Sequence, residues 1–119
     1  MIRHAVLIFS SDTLAAALIG AAVELAELTP QFPQEGESVR AALMRVRPKL
    51  VLIDCDHKES CSDEFIGPAL MTGARILLFR SPHPQRDVGA FSSRLGLHVI
   101  DMPLKPESFM RLLTQALAQ

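Results

Sequence analysis

The chain has 119 residues, 49% of them hydrophobic, and twelve basic against thirteen acidic side chains give a net charge of -1. This suffices for one apolar core and leaves no room for a second, so residues 1–119 read as a single domain. The scattered charge leaves no footprint for nucleic acid or an anionic membrane, and the lack of Trp and Tyr removes stacking platforms for bases.

No run reaches the roughly 18 apolar residues of a membrane span, and the opening Met1-Ile2-Arg3-His4 is wrongly built for a signal peptide. Two cysteines, Cys55 and Cys61, are too few for a disulfide framework and suit a reducing compartment. The expected location is cytoplasmic.

His4–Phe9 is a short, fully apolar run, followed by Ser10-Ser11-Asp12-Thr13, which predicts a strand and then a helix cap. From Thr13 to about Ala26, Leu14, Leu18, Ile19, Ala22 and Leu25 recur at helical spacing, with Gly20 the weak point. Pro30 and Pro33 allow only a short edge strand in the next segment. Glu35–Ser38 is a turn and cap for a helix over 39–47, with Val39, Leu43 and Val46 on one face; Pro48 stops it.

Leu50-Val51-Leu52-Ile53 is apolar at every position, the pattern of a strand covered on both faces, and Asp54 closes it. A polar loop follows, then a short helix over 63–71 closed by Gly73, and a buried strand over 74–79 ending at Arg80-Ser81. A helix over 86–95, a last strand over 97–102, a Pro103–Pro106 turn and an amphipathic helix over 107–118 complete the chain, the last with Phe109, Leu112, Leu113 and Leu117 inward. Strands alternating with helices predict an α/β fold, a doubly wound five-stranded parallel sheet of flavodoxin-like type. In such sheets ligands collect at the carboxyl ends of the strands. Cys55, His57 and Cys61 lack a fourth ligand for zinc.

Strand one ending in Ser10-Ser11-Asp12, strand three in Asp54, and Lys105-Pro106 after strand five together resemble the receiver domain of two-component response regulators, the CheY-like family. The resemblance spans the whole chain and rests on element order and spacing. It implies strand order 2-1-3-4-5, Asp54 as phosphoacceptor and Lys105 as the residue sensing the phosphoryl group. It also implies Mg2+ as cofactor, with Asp12, Asp54 and Asp56 as its candidate ligands. Departures from the pattern point to a degenerate receiver, a pseudo-receiver. Ser10 and Ser11 stand where an acidic pair belongs, Arg80 or Ser81 stands where a switching hydroxyl belongs, and Met102 replaces the aromatic switch.

The resemblance further implies signalling by protein contact, with a histidine kinase or a downstream effector as partner and no enzymatic activity. The implied face includes Met102, Glu107, Phe109 and Met110, and the same face suits a homodimer. A conventional Mg-dependent phosphorylated receiver is the alternative within the family. A small flavodoxin-like ligand-binding domain is the alternative outside it, although no Gly-rich phosphate loop follows strand one.

Overall fold

The fold is built around the apolar runs. In the computed structural model, which describes residues 4–10, 12–54, 67, 71–80, 98–101 and 105–118, each run becomes a strand of one sheet. The strands are β1 (Ala5–Phe9), β2 (Thr29–Gln31), β3 (Leu50–Asp54), β4 (Arg75–Arg80) and β5 (His98–Asp101). They pair in parallel in the order β2-β1-β3-β4-β5, the order that the resemblance implies.

Successive side chains on a strand point to opposite faces, so a central strand must be apolar throughout to bury both. Leu7, Phe9, Val51, Ile53, Ile76 and Leu78 fill one face beneath Val39, Ala42 and Leu43 of α2 (Val39–Val46). The alternate residues Val6, Ile8, Leu50, Leu52, Leu77, Phe79 and Ile100 fill the other. There they meet Ile19 and Val23 of α1 (Thr13–Leu25) and Phe109 and Leu113 of α3 (Pro106–Ala118).

The caps fall where the sequence places them. The Asp12 carboxylate accepts the Leu14 N–H at 3.0 Å and opens α1. Ser38 Oγ accepts the Ala41 N–H at 3.1 Å and opens α2, which Arg47 closes in the left-handed conformation, at φ 50°, before the buried Pro48. Gly36 and Gly73 sit at φ 76° and 83° in the predicted turns. A bidentate ion pair from Arg45 to Glu37, which lies eight residues earlier, pins the loop before α2. The guanidinium holds the Glu37 carboxyl down to about 2.

β2 explains its own proline. In a parallel ladder one residue's N–H and C=O face the same neighbour, and the next residue's face away. The Thr29 N–H bonds the His4 carbonyl at 3.0 Å, so the donor Pro30 lacks would face the open edge, where nothing needs it.

Two expectations need correction or qualification. Phe109, assigned by resemblance to a partner-binding face, is 3% exposed and packs in the core; the helical period that predicts it inward is the correct guide. On α1 the buried residues are Ile19, Gly20 and Val23, whereas Leu14, Leu18 and Leu25 face outward. Within 63–71 only Gly67 and Met71 are described, both with helical backbone. The predicted helix over 86–95 and the loop over 55–62 lie outside the described residues.

Gly20 is where Phe32 closes over α1: a Cβ built there would come within 3.1 Å of Phe32 Cζ. Alanine in a helix interior is favoured over glycine by about 1 kcal/mol. The Phe32 ring is 42% exposed and can yield by a few tenths of an ångström. Gly20→Ala is therefore expected to stabilise the fold by somewhat under about 1 kcal/mol, read as a higher urea midpoint at constant slope. A lower midpoint would show that the Phe32 contact outweighs the helix term.

Candidate functional site

Because all five strands run parallel, their carboxyl ends share one edge of the sheet. That edge collects Ser10 after β1, Asp54 at the end of β3, Arg80 at the end of β4 and Lys105 after β5.

Asp54 is 6% exposed, the one buried charged side chain among the described residues. Its strand partner on β4 is Phe79. Phe9 pairs with Ile53, so Ser10 follows on the rung beside Asp54. Alternation places Ser10 (after Val6 and Ile8) and Asp54 (after Leu50 and Leu52) on the same face, toward α1 and α3. A hydroxyl thus stands next to the carboxylate.

The rest of the β1 terminus is turned to local work. Ser10 Oγ donates to the Asp12 carbonyl at 3.1 Å and accepts the Asp12 N–H at 3.2 Å. The exposed Asp12 carboxylate accepts the Leu14 N–H as the α1 cap. Arg80 is half-buried, opposite Asp101 in register, and the alternation of Ile76 and Leu78 starts its side chain on the α2 side of the sheet. Lys105 is exposed, and its carbonyl accepts the Phe109 N–H at 3.0 Å, so the first turn of α3 fixes its backbone.

Among the described residues these donors do not fit a magnesium ion. Such an ion takes hard oxygen ligands, with carboxylates supplying the compensating charge. No group of three His, Cys, Asp or Glu is placed to hold a metal among the described residues, and beside Asp54 stands neutral Ser10. Of the other predicted site residues, Ser11, Asp56, Ser81 and Met102 lie outside the described residues. On the implied contact face Glu107 is exposed and Met110 half-buried.

No family model matches this sequence, and no curated protein matches it. Solved structures do. The chain superposes on the signal receiver domain of a modulated diguanylate cyclase from Desulfovibrio desulfuricans G20 with a TM-score of 0.76 at 21% identity, covering 98% of this chain and 95% of that one. It matches the chemotaxis protein CheY4 of Vibrio cholerae with a TM-score of 0.75 at 13% identity over 97% and 99% of the two chains. This chain has the CheY-like receiver fold. A response regulator receiver protein from Burkholderia phymatum gives a TM-score of 0.76 at 14% identity, over 98% and 96% of the chains. At such identities it is the receiver fold that is shared.

One feature escaped the sequence reading. The outward leucines of α1 follow a 4-3-4 spacing with Ala21, a helix-pairing pattern that an inspection for heptads finds. No helix among the described residues is long and apolar enough to cross a membrane.

Proposed function

We propose that this chain is an atypical receiver-like module of two-component signal transduction, a phosphorelay element that works through protein-protein contacts. Asp54 is its candidate phosphoacceptor, with an incomplete acidic site around it. The observation that carries the reading is the pairing of a buried carboxylate at the end of the central strand with a serine on the adjacent rung. The first preserves a nucleophile. The second removes the charge that would hold a divalent cation beside it.

In a conventional receiver a carboxylate oxygen attacks the phosphorus of a phosphohistidine and the imidazole leaves, with magnesium supplying charge neutralisation. Lys105, on the same edge, is the candidate for sensing the transferred group, and Arg80 or Ser81 for the switch position. Without an acidic pair beside Asp54 to hold the ion, this chemistry is slow. Conformation and partner binding then carry the signal, through a face that includes Met102, Glu107 and Met110, toward a histidine kinase or a downstream effector in the cytoplasm.

Amide NMR with beryllofluoride and millimolar magnesium tests this. The proposal expects resonances of Asp54, Ser81 and Lys105 to stay in place. Saturable shifts clustered at those three would overturn it in favour of the conventional, magnesium-dependent receiver.

A further inference from the structure

A soluble helix normally buries one stripe and wets the other, whereas α1 (TLAAALIGAAVEL) is apolar on both. Its inner face packs on the sheet through Ile19 and Val23. On its outer face Leu14, Leu18 and Leu25 are 68%, 63% and 65% exposed, with exposed Ala17 and Ala21 between them. Glu24 is the only charged side chain on the helix. Leu14, Leu18, Ala21 and Leu25 fall at successive d and a positions of a heptad, the seam that another helix covers.

We infer that the outer face of α1 is the contact between two copies of this chain, packed antiparallel about a two-fold axis. Such an interface uses one patch twice, so the patch must complement itself. An axis between positions 18 and 21 sets Leu14 against Leu25 of the second copy and Leu18 against Ala21, each leucine at 18 meeting a small residue.

The charges favour the same arrangement. α1 has no acidic residue in its first turn and no basic residue in its last, and its acid, Glu24, sits near its own negative end. Antiparallel pairing moves Glu24 beside the positive amino-terminal turn of the other copy. The cost is that Asp12 comes opposite Glu27 at each rim, a like-charge contact that salt screens. A lipid surface suits the stripe poorly, because α1 carries no Lys or Arg to meet anionic headgroups.

Thirteen residues make a helix about 20 Å long, which puts the contact at the small end of specific interfaces, below about 1,200 Å2. The expected association is micromolar. It involves different residues from the contact face at Glu107 and Met110, and does not depend on phosphorylation of Asp54.

Sedimentation equilibrium of the full chain, from micromolar to millimolar, tests the inference. The mass should rise from 13.0 kDa toward twice that value, and more readily as salt is added. Leu18→Glu, or the milder Leu18→Gln if the first variant melts early, should raise the dissociation constant at least about tenfold. Met44→Glu, at an exposed position on α2, should not. Leu14→Glu and Leu25→Lys should each weaken the dimer alone and restore it when mixed, because the register sets those positions face to face. A chain that stays at 13.0 kDa throughout, a dimer indifferent to Leu18→Glu, or a mixture that fails to restore it overturns the inference.

Discussion

Leu113→Ala is expected to lower the free energy of unfolding by about 3 kcal/mol, within the range measured for leucines truncated in tight cores. Leu113 is fully buried, in the cluster where α3 meets Ile19 and Val23 of α1 and the β3, β4 and β5 side chains Leu52, Leu77 and Ile100. A side chain enclosed by two helices and a sheet leaves a cavity that none of them can collapse into without disturbing the others. For a domain whose total stability is on the order of 5–15 kcal/mol, the loss corresponds to a melting point lower by about 10 °C. Met110, three residues away and half-buried, should cost under about 1 kcal/mol when truncated in the same way. Thermal and urea denaturation of both variants checks the contrast. Equal effects would mean that α3 is not seated as described. The consequence reaches the site, since the first turn of α3 fixes the backbone of Lys105, and a loosened helix lets the lysine drift from the edge that holds Asp54.

The sequence made most of this fold legible because both faces of the sheet are covered. β1 and β3 had to be continuously apolar, and no helix of their length reads that way. Pro30 was equally informative, since a proline there is compatible only with the outermost strand. The carboxyl edge was legible too, because strand ends follow directly from strand boundaries. What misled was assigning residues to a surface by the number of their helix. Phe109 and Met110 are neighbours in sequence but about 100° apart around α3, and one is core while the other reaches solvent. On α1 the difficulty was different. Leucines at helical spacing normally mark the buried stripe, but here alanine, glycine and the β-branched Ile19 and Val23 lie against the sheet, where close approach is needed, and the leucines stand outside.

Ser10→Asp should make the protein one that magnesium stabilises. Ser10 and Asp54 share a rung and a face, and adjacent strands lie about 4.8 Å apart, so the new carboxylate is held within roughly 5 Å of the old one. At that separation two negative charges repel by about 1 kcal/mol in a water-like medium and about 3 kcal/mol in a partly buried one. In EDTA the variant should therefore melt below wild type. The substitution costs little else locally: aspartate can still accept the Asp12 N–H, and Asp12 itself keeps the α1 cap through Leu14. A divalent cation relieves the repulsion and gains two carboxylate ligands. An ion present at ten times its dissociation constant adds about 1.4 kcal/mol of stability, enough to offset much of the loss. Melting temperature against magnesium concentration should thus rise for the variant and stay flat for wild type and for Asp12→Ser, which preserves a cap without adding charge. If Ser10→Asp responds to magnesium no more than wild type does, then missing charge beside Asp54 is not what sets this site apart from a metal-binding one, and the atypical reading loses its physical basis.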